Sequence, residues 1–124
     1  MTVEELYASI DGDYAQVQRV LRVDRLIDKH VRRFASSDVV GRLLAARESL
    51  DPTELFESAH GMKGVCGNLG LDKLAAEANV ITEEFRAGNP RTMSDEAVRE
   101  HIDRIEALYR QTVEGIRRYE EAQA

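Results

Sequence analysis

Toward the end of the chain, Val98, Ile102, Ile105, Tyr109, Thr112, Ile116 and Tyr119 recur at alternating intervals of four and three. That spacing keeps a narrow apolar seam on one side of an α-helix and suits a helix packed in a bundle. Nothing elsewhere competes with this period, because no segment alternates apolar and polar residues with the β-branched enrichment a strand needs. The chain is therefore expected to be all-α. Only two prolines and eight glycines punctuate it, so the stops and starts of the helices can be placed one by one.

Val3 to Ile10 reads as a short helix stopped at Asp11-Gly12, with glycine in the left-handed conformation and Asp13 capping the next helix. Tyr14 to Phe34 carries Val17, Val20, Leu21, Leu26, Ile27, Val31 and Phe34 at helical spacing, either as one helix or as two with a break near Val23-Asp24. Ser37-Asp38 starts a helix over 39–50, in which Val40, Leu43, Leu44 and Arg47 stack by threes and fours. In Asp51-Pro52-Thr53-Glu54 a capping acid precedes a first-turn proline, and a glutamate three residues after the cap suggests a carboxylate form of the capping box. The helix that opens there runs to about Leu69 and closes at Gly70. Another spans about Leu71 to Ala87, with Leu71, Leu74, Ala78, Ile81 and Phe85 on one face and Gly88-Asn89-Pro90 as terminator, and Ser94 caps the last. Short connections favour antiparallel neighbours. The expected architecture is one domain over 1–124: short N-terminal capping helices over 1–36, then an up-down antiparallel four-helix bundle over 38–122.

Charge and cysteine usage narrow the function classes. Lys and Arg number 17 against 23 Asp and Glu, a formal charge of −6, and phosphate-backbone binding needs a concentrated basic face. The one basic cluster, Arg25, Lys29, Arg32 and Arg33, is interleaved with Asp24 and Asp28 and reads as a solvated helix face. Nucleic acid is not an expected partner. No uncharged run is long enough to span a bilayer, and Met1-Thr2-Val3-Glu4-Glu5 lacks the basic-then-apolar pattern of a signal peptide, so no membrane contact and a cytoplasmic location are expected. The single cysteine, Cys66, fits a reducing compartment and reads as a small buried hydrophobe.

Four glycines, at 61, 64, 67 and 70, fall within or at the end of the helix that begins at Pro52. Inside a helix each costs about 0.5–1 kcal/mol relative to alanine, so stability alone would not place them there. At about 100° per residue, Leu55, Ala59, Met62, Val65, Cys66 and Leu69 gather on a core-facing side. His60 lies opposite, with Lys63 one turn on and Gly64 and Gly67 beside it, so an exposed imidazole sits on bare backbone next to a cation. A neutral imidazole has a free nucleophilic nitrogen near neutral pH and can attack phosphorus. The doubly charged phosphoryl group it would then hold suits a neighbouring ammonium. Missing side chains at Gly64 and Gly67 would let a second protein's active site close over the ring.

At Ala59-His60-Gly61-Met62-Lys63-Gly64, followed by Gly67 and Leu69-Gly70, the sequence resembles the histidine-containing phosphotransfer (HPt) domain family. The resemblance extends more weakly to Gly12-Asp13-Tyr14, Arg33-Phe34 and the helix after Gly70. It implies a four-helix bundle whose exposed histidine accepts a phosphoryl group from an aspartyl phosphate or a kinase and passes it to a receiver-domain aspartate. His60 matches the phosphorylated histidine, Lys63 the phosphate-supporting lysine and Gly64 the small residue beside it. Gly61 departs from the pattern, since family members more often carry a polar or larger residue there. The expected partners are a response-regulator receiver domain and a hybrid histidine kinase. There is no Gly-rich phosphate loop, no ATP pocket and no acidic cluster near His60 suited to magnesium. The chain is thus expected to bind no cofactor, with Mg²⁺ residing in the partner receiver domain.

Other readings compete. Glu57 and His60 form a Glu-x-x-His pair of the kind used in di-iron bundles, but a second pair is lacking, since Ile27 and Val98 stand three residues before His30 and His101. No metal site is expected, and both of those histidines read as surface or helix-edge residues. Phe56 is either packing under the N-terminal helices or an apolar anchor for a docking partner. Glu57, and Asn79 and Thr82 at the polar edge of the next helix, would border the same surface. A module that docks a receiver or kinase without carrying phosphate is the rival function. It has no need of histidine, lysine and glycine in this register. A monomer is expected, although the seam of the last helix would permit a dimer.

Overall fold

Caps written into the sequence decide where most of the helices begin. The computed structural model describes all residues from Met1 to Ala124 as helices joined by short turns, with no strand. They are α1 (Val3–Ser9), α2 (Tyr14–Leu21), α3 (Asp24–Ser36), α4 (Val39–Ala45), α5 (Pro52–Asn68), α6 (Asp72–Glu84) and α7 (Asp95–Gln123). Thr2 and Glu5 form a reciprocal capping box on α1, Asp13 accepts from Gln16 N at 3.0 Å on α2, and Ser94 accepts from Ala97 N at 3.1 Å on α7. On α5 only half of the expected box forms. Asp51 accepts from Thr53 N, whereas the Glu54 carboxylate turns away to Arg42 on α4, at 2.6 Å.

Two local expectations are corrected and one open choice is settled. The left-handed residue after α1 is Asp11 (φ 58°), not Gly12; glycine is needed at 12 because a Cβ there would lie 2.7 Å from the Tyr7 ring. The 14–34 segment is two helices. They part at Arg22 (φ 71°, ψ −51°), where Val23 N bonds back to Leu21 O at 2.8 Å in a γ-turn. The helix after Asp38 ends at Ala45, not near Leu50, and the chain turns through Leu50 (φ 52°) into α5.

One core takes buried apolar side chains from all seven helices, from Val3 to Tyr119. The most extensive packing is between α5 and α6, which run antiparallel across the Leu69–Leu71 turn. α7 lies antiparallel to α6, with His101 on Glu77, and antiparallel to α3, where the Tyr119 hydroxyl donates to Asp28 at 2.6 Å and Phe34 meets Tyr109 edge to face. Gly115 admits α1 against α7, since a Cβ there would fall 2.3 Å from Ile10 Cγ2.

The long turn between α6 and α7 is organised by one buried carboxylate. Glu84 accepts from the main-chain N–H groups of Thr92 and Met93, both at 2.8 Å, from the Thr92 hydroxyl at 2.7 Å and from Arg91 at 3.1 Å. Burial opposes its ionisation, but the donors from Met93, Thr92 and Arg91 outweigh that and bring its pKa down to about 2. A depressed carboxyl pKa contributes stability that is present above the ordinary carboxylate range and is lost as pH falls toward 2. The melting temperature should therefore drop between about pH 4.5 and 2. Glu84→Gln should be less stable by about 1 kcal/mol at neutral pH and show a shallower acid limb in the same melts.

Candidate functional site

His60 sits midway along α5 with its side chain exposed, and the residues buried on the opposite side are Leu55, Ser58, Ala59, Met62 and Cys66. Burial pushes the Cys66 thiol up to about 12, so it stays a protonated apolar filler. Val65 departs from the expected stripe and is 37% exposed.

The glycines around His60 are not there for the fold. A Cβ added at Gly61, Gly64 or Gly67 would meet nothing within 4 Å. Gly70 is different: its φ is 70°, and a Cβ would fall 2.4 Å from Asp13 O. Its carbonyl accepts from Asp13 N at 2.8 Å, and the buried Tyr7 hydroxyl donates to Leu69 O at 2.7 Å, so the end of α5 is latched to the α1–α2 turn. The imidazole therefore stands on a helix fixed at its far end and bare along its outer face.

Lys63, half-buried, projects toward α6 and helps to hold the Glu83 carboxyl low, after Arg86 and Asn89. Phe56 does not pack under the N-terminal helices. It is half-buried with its ring parallel to that of His60, centroids 5.5 Å apart and planes 8° apart, and Arg86 Cζ lies 5.4 Å from its centroid. Glu57 is exposed and accepts from Arg42 at 3.2 Å. Asn79 is half-buried at an open groove of about 630 Å³ on α6, its Oδ1 unpartnered. Thr82 is fully buried with its hydroxyl donated to Ala78 O at 2.9 Å, so it offers no atom to a docking surface. Its position falls on the packed side of α6 with Ala78 and Ile81. No three His, Cys, Asp or Glu side chains converge at metal-ligand spacing.

The sequence reading missed Glu83 and Arg86, which lie three apart at the end of α6 and join the surface only through α5–α6 packing. It also misplaced His101, which is 4% exposed. Its Nδ1 accepts from Arg104 at 2.8 Å, while its Nε2 faces Glu77 O at 3.0 Å and the Glu77 carboxylate at 2.8 Å, a structural role between α6 and α7. His30 is half-buried on α3.

A family model described as the Hpt domain matches residues 31–115, from α3 into α7 and across every residue of this surface. The chain belongs to the Hpt domain family. No curated protein and no solved structure gives a significant match. Membership implies phosphotransfer in two-component signalling, and Hpt domains generally interact with receiver domains and kinases. No helix of this Hpt domain is long and apolar enough to cross a membrane.

Because the glycine Cβ positions are open, Gly61→Ala and Gly64→Ala should each raise stability by about 0.5–1 kcal/mol in chemical denaturation. Destabilisation by either would mean that the helix itself requires glycine there.

Proposed function

We propose that this Hpt domain is a phosphorelay intermediate that accepts a phosphoryl group on His60 and exchanges it with the aspartate of a response-regulator receiver domain. The observation that most supports this is the exposed imidazole beside Gly64 and Gly67, where open space lies over glycines that cost the helix stability. In the transfer, the Nε2 lone pair attacks the phosphorus of the aspartyl phosphate. The N–P bond forms as the P–O bond to the aspartate breaks, and the electron pair leaves on the carboxylate; the proton on Nδ1 is released to solvent. Transfer to a receiver is the reverse sequence. Lys63 supplies positive charge for the phosphoryl oxygens, and Gly64 and Gly67 supply clearance.

On this reading the chain binds no cofactor, and the receiver brings the Mg²⁺. Phe56, Glu57 and Asn79 border the docking face, and a hybrid histidine kinase is a further source of phosphoryl groups. The carrier acts as a cytoplasmic monomer. Its architecture is a single domain over 1–124, with 1–36 as helical cap and 38–122 as the up-down four-helix bundle. The antiparallel α5–α6 and α6–α7 pairs, with α4 packed on both α5 and α7, support that arrangement, and α3 packs along α7 from the cap.

The test is intact-mass detection of phosphoryl transfer from a phosphorylated receiver or a phosphoramidate. A single acid-labile adduct is expected on the native chain and none on His60→Gln. Lys63→Gln should slow transfer roughly 10- to 100-fold, the loss of one charge-assisted hydrogen bond of about 1.5–3 kcal/mol. Gly64→Ala should slow transfer from the receiver while leaving the fold stable. Receiver binding without any adduct would instead identify a docking module that carries no phosphate.

A further inference from the structure

We propose that Phe56, held by Arg86, is a positioning residue that sets the plane of the His60 imidazole for phosphoryl transfer, an inference that rests on the acceptor role proposed above. An exposed histidine flanked by glycines at 61, 64 and 67 has no side chain on those sides to limit its rotamers. The Phe56 ring a turn earlier lies 5.5 Å away and within 8° of parallel. Phe56 is in turn covered by the Arg86 guanidinium, 5.4 Å from the ring centroid. Arg86 donates to both oxygens of Glu83, at 3.1 and 3.0 Å, and Asn89 Nδ2 donates to Glu83 O at 2.9 Å and to its carboxylate at 3.3 Å. A continuous set of contacts thus runs from the imidazole to the turn that follows α6.

The geometry of a parallel stack suits a nucleophile. The lone pair that attacks phosphorus lies in the plane of the ring, so a partner on the ring's face restrains the plane without covering either nitrogen. A hydrogen-bond partner would occupy one nitrogen; the phenyl ring occupies none. A ring held near its attacking orientation loses less freedom on reaching the transition state. Phe56 also lies N-terminal to His60 and leaves the Gly64 and Gly67 side open to a large donor.

The experiment uses the full chain and a small phosphoramidate donor, so that loss of a docking contact cannot slow the reaction. In the native chain, proton NMR should show the His60 ring protons shifted upfield by the Phe56 ring current and one dominant χ1 rotamer. Phe56→Leu should abolish that shift and slow phosphorylation of His60 about three- to ten-fold, with Phe56→Tyr restoring both. Arg86→Gln should give about a two-fold loss. Unshifted His60 protons with averaged rotamers in the native chain would overturn the proposal, as would a Phe56→Leu variant phosphorylated at the native rate. Should Phe56→Leu fail to fold, the native spectrum and the Phe56→Tyr and Arg86→Gln rates decide in the same way. If no donor phosphorylates His60 in the native chain, the acceptor reading fails and takes the positioning role with it; a phosphorylated native chain with an indifferent Phe56→Leu overturns positioning alone.

Discussion

The turn at Gly70 joins two halves of the molecule through close backbone contact and one buried tyrosine hydroxyl. Its left-handed φ reverses the chain between α5 and α6, and the lack of a Cβ lets Asp13 O approach where a side chain would stand. Two hydrogen bonds, Tyr7 to Leu69 O and Asp13 N to Gly70 O, then fasten the α1–α2 turn to the end of the histidine-bearing helix. A larger residue would meet both penalties at once, torsional strain and collision with a carbonyl. The antiparallel α5–α6 pair, the largest helix contact in the fold, depends on that reversal.

With its far end latched and one side on α6, α5 can tolerate a weak outer face. Three glycines there lower the intrinsic helix preference of the segment. The loss is offset by tertiary packing of Leu55, Ala59, Met62 and Cys66, all fully buried. His60 therefore rides on a rigid element even though its local sequence is a poor helix former, and the Phe56 ring stacked on it comes from the preceding turn of the same helix.

How much of the fold and site was legible in the sequence depends on the range over which each feature is determined. Caps at Asp13 and Ser94 and the stop at Gly70 rest on local chemistry and were readable, whereas α6 ends at Glu84, ahead of the expected Ala87. The period that brought His60, Lys63, Gly64 and Gly67 to one side was readable too. The break at Arg22 could be read only as one of two options, because neither glycine nor proline marks it and the strained residue is an arginine. Val65, Thr82 and His101 were misassigned for a common reason. Each lies at the edge of an apolar stripe, and which edge is covered depends on how neighbouring helices pack: Val65 is left exposed, Thr82 is enclosed, and His101 on α7 is covered by Glu77 of α6. The Phe56–His60 pair lay at readable spacing, but Arg86 reaches it only from the turn after α6.

Bare helix backbone has the same shape on any helix. The strip along Gly61, Gly64 and Gly67 therefore offers a partner access without information: it carries no charge, no side-chain donor and no contour that a rival protein would lack. On the proposed function, discrimination among similar partners would then reside in the rim, where Glu57, Val65 and Arg86 differ in charge and bulk. Chemistry and address occupy separate residues on one surface, so the address can drift by substitution at the rim while the reacting centre stays as it is.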